Sequence, residues 1–422
     1  LGSPLMSQIV LFNGATVSIA PGAIVQCNGG VKITNSSNLT NNGTLNVTKN
    51  STLSLAGNFE NSSSSLVSGN GLYTVEQDWI NSATFQGQNS EVILNGNTEQ
   101  LITSTNGTVT QFNHLTLTGN GTGVNQRKSL VGVNSSTSAN GILTLNDREL
   151  HTGIQSFEVL NTNVAAIVHS STFGNEGFVS SLDPGYLIRH TNQSNAYLFP
   201  TGSNDGTYRY RPIELTPSSS TSSTYNVRLN NYTADADGFL LAQHAPDIDN
   251  ANNNFYHSID RSAGSTDASI RIHYLPTDDG DYMSTAHWYT SNAQWEDVLS
   301  TNNGTSGNFS YNEKVNWNFP TNNHPYVLIN TSSTLIIPNV FTPNNDGSND
   351  GYFITSKGLT DYNFVIVNRW GNPVFETTDP TAVWDGNSGG EPCTEGTYFY
   401  ILRAKSGGTD VLKQGHITLH RN

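Results

Sequence analysis

Short apolar doublets, each isolated by a polar turn, set the strongest limit on how this chain can fold. Val17/Ile19, Val31/Ile33, Leu45/Val47 and Leu53/Leu55 each follow the in–out alternation of a strand. Around and beyond them stand Asn28-Gly29-Gly30, Asn41-Asn42-Gly43 and Asn70-Gly71. The doublets lie 14, 14 and 8 residues apart, and similar ones recur at Val92/Leu94, Leu115/Leu117 and Leu143/Leu145. Strands this short cannot bury a face alone. Stacked as coils of a right-handed β-helix they would share one narrow core, with asparagines laddering at the corners. The alternative is a string of hairpins forming a β-sandwich, because Asn-Gly between apolar runs is also a hairpin signal. A β-solenoid over residues 1–190 is the preferred expectation.

Composition supports an all-β chain. Among 422 residues only 35% are hydrophobic, and Asn, Gly, Ser and Thr are in excess, as many turns require. No stretch carries an apolar stripe of helical period over three turns. Lys+Arg number 18 against 33 Asp+Glu, a net charge of −15. That balance excludes nucleic acid and anionic membrane surfaces as expected partners, since phosphate binding needs clustered cations. No apolar run approaches the roughly 20 residues of a spanning helix. Cys27 and Cys393 lie at opposite ends of the chain, so two free thiols are expected. The opening "LGSPLMSQIV" has no charged-then-apolar leader, and reads as a mature start from which a signal peptide has been cleaved.

Near residue 190 the texture changes. "NAYLFPTGSNDGTYRYRPIELTP" brings Pro, Arg and Tyr, and longer strands follow at Tyr225–Leu229, Ala268–Tyr274, Ala286–Thr290 and Tyr326–Ile329. Residues 191–331 are therefore expected to form an antiparallel β-sandwich, with Ser218–Thr224 as a surface loop. The polar "NTSST" at 330–334 separates it from a last unit, 332–422. There Ile337–Thr342 reads as an edge strand, Tyr362–Asn368 as an alternating strand, and Thr397–Lys405 and His416–His420 as closing strands. Gly396 and Gly415 are expected to turn the chain, and Arg369 to stack on Trp370 in the "NRWGN" turn. A small Ig-like β-sandwich is the expected result.

The residues of this last unit read "IIPNVFTPNNDGSNDGYFI … YNFVIVNRWGNPVFE … AVWDGNSGGEPCTEGTYFYILRAK … LKQGHITLHRN". Together they closely resemble the gliding-motility-associated C-terminal domain of proteins exported by the type IX secretion system of Bacteroidetes, the type B sorting class. The resemblance implies a secreted or cell-surface cargo, recognised by a large β-barrel translocon in the outer membrane and by its shuttle protein. It further implies an adhesin-like protein of a gliding cell. Within the domain, the best candidates for translocon recognition are the turn Asn368, Arg369, Trp370 and Gly371 and the final strand with Gly415, Ile417 and Leu419. A docked component of the secretion assembly is a further reading.

Sites for chemistry are sparse. Asn344, Asp346, Ser348 and Asp350 alternate as the oxygen ligands of a calcium loop do. The distal bidentate Glu is missing, so a plain Asx turn is the competing and preferred reading and no cofactor is expected. Asp278, Asp279 and Asp281, and Asp235 with Asp237, are weaker versions of the same pattern. His416 and His420 share a strand face about 13 Å apart, at roughly 3.3 Å per residue, too far for one metal ion. Trp288 and Trp295 suggest a platform for surface glycans, against the plainer reading of sandwich core. No HExxH, GxSxG, phosphate-cradling glycine loop or CxxC occurs. The acids stand in Asn/Gly loops rather than at strand ends beside aromatics, so the chain is read as non-enzymatic.

Overall fold

The computed structural model describes residues 8–11, 13–49, 57–319, 325–331, 334–344, 346–406 and 409–421; the Leu53/Leu55 doublet lies outside them. The protein is all-β. Among the described residues its helices are the single turn Pro276–Asp279 and three short 3₁₀ segments. In the first part, each strand pairs in parallel with the strand three places on in the chain. Val31–Ile33 lies beside Phe59–Asn61, Asn38–Asn41 beside Leu66–Ser68, and Thr44–Thr48 beside Leu72–Val75. The chain thus winds through three parallel sheets. A step of 14 residues between doublets carries the chain from one sheet to another. A full turn is longer and variable: Asn70 lies 28 residues after Asn42, and Asn89 19 after Asn70. Loop length varies while the inward positions stay in register.

That register builds the core. One inward column runs Leu45, Tyr73, Val92, Leu115, Leu143, each the direct partner of the next. A second runs Val31, Phe59, Trp79, Ile102, Leu130. All ten are buried, and each contributes about 1.5–3 kcal/mol by leaving water. The Phe59 and Trp79 rings stack at 4.3 Å with 11° between their planes. This is close to the ~4.8 Å spacing of neighbouring strands, so backbone pairing itself sets the rings in contact. Val17 departs from expectation: it is 37% exposed while Ile19 is buried.

Asparagines ladder between turns. The Asn70 amide N–H donates to Asn42 Oδ1 at 3.1 Å, and that of Asn89 to Asn70 Oδ1 at 3.2 Å. Inside, Asn61 Nδ2 donates to Asn81 Oδ1 at 2.8 Å and Asn81 Nδ2 to Thr110 Oγ1 at 3.0 Å, which gives both buried amide nitrogens a partner. The Asn-Gly signals serve corners rather than hairpins. A Cβ on Gly43 would stand 2.4 Å from the Ala23 carbonyl oxygen, and one on Gly71 2.5 Å from the Asn41 side chain. Glycine is needed there because the neighbouring turn passes so close.

One of the three sheets ends at Thr84–Gln86, and from Glu91 onward the chain alternates between the other two. The last parallel strand of one of them, Leu187–Thr191, then pairs antiparallel with Ser223–Asn230. This sheet continues antiparallel through Tyr256–Ala263, Pro325–Thr331, Ser284–Tyr289 and Gln294–Asp297. A five-stranded antiparallel sheet that includes Ile213–Pro217 and Ala268–Tyr274 shares its core. The change of texture near residue 190 therefore marks a switch of strand direction within one sheet. A single hydrophobic cluster extends from Ile19 to Leu328. Ser223 and Thr224, expected in a loop, belong to the strand that receives Leu187–Thr191.

Several cationic side chains are buried, Arg189 and Lys128 among them, and neighbouring residues do not reveal this. Arg189 donates to the carbonyls of Leu198 (2.6 Å), Asn163 (3.0 Å) and Val164 (3.1 Å), with its guanidinium 5.1 Å from the Tyr197 ring centre. Lys128 donates to Gly96 O at 2.8 Å and Gln100 Oε1 at 2.6 Å. Burial, aided by nearby Arg148, lowers its pKa to about 7. Above about pH 7 the folded amine is neutral, while the unfolded amine still binds a proton up to about pH 10. The unfolded state then holds more protons, so this group makes stability rise with pH from about 7 toward 10.

Two outcomes follow. Urea midpoints measured at pH 7 and pH 9 will differ less in Lys128→Met than in the wild type. Trp79→Ala will lower unfolding free energy by about 3–5 kcal/mol in the same assay, through loss of ring contacts and a cavity in the second column.

Candidate functional site

The last unit has its own core. Phe341, Tyr352, Tyr362, Phe364, Ile366, Trp384, Tyr398, Leu402, Ile417 and Leu419 pack together, and none belongs to the cluster of residues 19–328. Its main sheet has five strands, in the order Val340–Phe341, Thr409–Leu419, Gly396–Ser406, Leu359–Val367 and Pro373–Thr377. Two-stranded pairs at 334–336 with 355–357 and at 387–388 with 391–392 complete the unit. Alternation decides which residues enter: Tyr362, Phe364 and Ile366 face in from one strand, Tyr398, Leu402 and Ala404 from the next. Trp384 closes the core from a loop, its indole N–H donating to Asn387 O at 2.8 Å and its ring 5.3 Å from Tyr398.

Most of the distinctive residues of this unit thus serve its packing. This corrects the expectation for the final strand. Ile417 and Leu419 are buried and cannot meet a partner directly while the unit is folded. Gly415 does not turn the chain; it lies mid-strand opposite Tyr400, where Thr409–Leu419 pairs antiparallel with Gly396–Ser406. A Cβ on Gly415 would stand 2.6 Å from the Tyr400 hydroxyl, so glycine here makes room for a ring.

The turn at 368–372 is different. Asn368 Oδ1 accepts the backbone N–H groups of Trp370 (3.1 Å) and Asn372 (3.0 Å), and the Gly371 N–H reaches Asn368 O at 2.9 Å. Gly371 has φ +82°, a conformation that favours glycine. The result is a rigid knob that holds Trp370 75% exposed, with the Arg369 guanidinium 5.3 Å from its ring centre. Next to it the outer face of the sheet is apolar. Val367, Phe399 and His416 form one cross-strand row, and Phe399 is 46% exposed. With Ile401 and Gln414 they line a shallow hollow of about 400 Å³.

The remaining candidates carry structural roles. In the loop at 344–350, Asp346 Oδ1 accepts Ser348 N–H (2.8 Å), Asn344 Oδ1 accepts Asp346 N–H (3.1 Å), and Asp350 Oδ2 accepts Gly347 N–H (2.8 Å). The first two are Asx-turn bonds, and the Asn344 side chain with the Ser348 N–H holds the Asp346 carboxyl below its usual pKa. Among the described residues no group of three His, Cys, Asp or Glu is arranged to hold a metal. Trp288 and Trp295 do not form a platform. Both are buried, 5.5 Å apart, in a small cluster with Ile248, Tyr256 and Ile329, and Trp295 donates to Phe239 O at 3.3 Å. Buried rings offer no face to a sugar. Asp279 is buried and forms a bidentate pair with Arg211, at 2.5 and 2.9 Å. Asp237 receives the hydroxyls of Tyr232 and Tyr256. Cys27 and Cys393 are both free. Among the described residues no helix is long and apolar enough to cross a membrane.

Residues 335–419 match the family model described as the CHU_C type IX secretion signal domain. No curated protein and no solved structure matches the chain. The self-contained unit is thus a type IX secretion sorting domain. The chain that carries it is cargo targeted for export, to the cell surface or beyond, and this role implies contact with the secretion machinery.

Gly415→Ala should destabilise this unit by about 1–3 kcal/mol, because the Tyr400 ring must move. Trp370→Ala, on an exposed turn, should change it by less than about 0.5 kcal/mol. Thermal denaturation followed by near-ultraviolet circular dichroism will separate the two.

Proposed function

We propose that this chain is a non-enzymatic, rod-like cargo of a Bacteroidetes type IX system. In this reading a β-solenoid stalk (1–190) and a β-sandwich (191–331) form the passenger, and a small Ig-like sandwich (332–422) is its address. The passenger is adhesin-like, displayed on or released from the surface of a gliding cell. The observation that carries the reading is the separate core of the terminal unit. A signal read by a machine must keep one shape whatever it is attached to, and a core that borrows nothing from the passenger meets that need.

Within the signal, the Asn368–Asn372 turn and the adjoining Val367/Phe399 face are the surface offered to the translocon and its shuttle protein. The turn is held by its own hydrogen bonds, so its exposed tryptophan costs the fold little and is available for contact. Exposed aromatic residues beside an arginine are the residue types that dominate binding energy at protein interfaces.

The test is where the protein accumulates. Full-length chain should reach the envelope surface or the medium, and deletion of residues 335–422 should leave it in the periplasm. Arg369→Ala/Trp370→Ala should cut export at least severalfold with the melting temperature unchanged. Export that survives the deletion sinks the reading; export that survives only the double substitution sinks the assignment of the turn.

A further inference from the structure

We propose that the cleft between the loop at 170–176 and the sandwich is a binding site for a neutral saccharide. It encloses about 300 Å³, at the lower end of the range for small-ligand sites. Phe173, 53% exposed, lines it from the loop, and Phe309 and Tyr210 line it beside that ring. The ring centres of Phe173 and Phe309 are 6.3 Å apart, and those of Tyr210 and Phe309 5.7 Å. Two distant stretches of chain thus bring apolar rings to one opening.

The polar groups lining the cleft are built from underneath. Glu214 accepts from Arg271 at 2.9 Å, and Arg271 is itself fixed by Glu313 at 3.2 Å and by the Tyr311 ring at 4.3 Å. The other Glu214 oxygen lies 3.6 Å from His273 Nε2, beyond hydrogen-bond reach. His273 is buried, and this Nε2 has no hydrogen-bond partner. An unsatisfied buried polar group is costly, and a ligand hydroxyl beside it would relieve that cost. His169 Nδ1 donates to the Ser170 carbonyl at 2.8 Å, which leaves its Nε2 as an acceptor. Burial lowers the pKa of both histidines, that of His273 to about 3, so both are neutral at pH 7.

The ligand class follows from these partners. An anion would face the Glu214 carboxylate on a chain of net charge −15. A cation would have to share that carboxylate with Arg271. Sugar hydroxyls both donate and accept, so they suit a carboxylate oxygen and neutral imidazoles, while the C–H face of the ring packs on phenyl groups. The cleft is separate from buried Trp288 and Trp295, and the inference is independent of the export reading because binding is measured on purified chain.

Isothermal titration of the full chain against neutral gluco-, manno-, xylo- and N-acetylglucosamine oligosaccharides tests it. At least one should bind saturably. Phe173→Ala, which leaves the core intact, should weaken that binding about tenfold or more at unchanged melting temperature, and His273→Phe should weaken it as well. The proposal is overturned by no saturable binding at millimolar sugar, by binding that Phe173→Ala leaves intact, or by tighter binding of polygalacturonate than of any neutral sugar. Should His273→Phe fail to fold, Phe173→Ala decides alone.

Discussion

Most described strands between Ile9 and Thr191 have three to five residues and hold nothing by themselves, so this part depends on the parallel ladder that joins each turn of the chain to the next. Backbone hydrogen bonds fix the spacing, and the spacing brings inward side chains into columns. Phe59 on Trp79, at 4.3 Å, is the clearest product. Once the ladder is set, polar residues can enter the interior, because a buried side chain can bond to one a turn away. Asn61, Asn81 and Thr110 do this. Lys128 does so as well, its amine held between Gly96 and Gln100.

The same ladder explains how parallel pairing gives way to antiparallel pairing without a break. When the sheet ending at Thr84–Gln86 is lost, the other two sheets continue. Reversing the strand after Thr191 then changes the direction of pairing but not the core, which continues to Leu328. The terminal unit is organised on the opposite principle. Its three central strands, Leu359–Val367, Gly396–Ser406 and Thr409–Leu419, run nine to eleven residues, and its main sheet is antiparallel except at one edge. They close over a core of their own. A passenger built by extension and an address built by closure are consistent with the two roles assigned to them.

Much of this was legible in the sequence, and the failures have physical causes. Doublets such as Leu45/Val47 and Leu115/Leu117 gave the inward faces, because alternation is local. The two 14-residue spacings hid the length of a turn, since they count steps between sheets and not between stacked strands. The Asn-Gly pairs were ambiguous because glycine at a tight corner and glycine in a hairpin look alike. In the terminal unit, the Arg369–Trp370 stack was anticipated from neighbouring residues. The inward faces of Ile417 and Leu419 and the mid-strand place of Gly415 depend on which strand lies opposite, and neighbouring residues do not carry that. The cleft around His273 and Glu214 was invisible for the same reason. It joins Phe173 to Phe309, and only the folded chain places them together.

The parallel pairings of Glu149–Gly153 with Phe178–Ser181 and of Phe157–Val159 with Leu187–Thr191 have a consequence for resistance to proteolysis. A protease that cut the exposed segment near Phe173 would not part the two pieces, because strands from either side of the cut stay paired on common sheets. Damage at that loop would leave the fold whole.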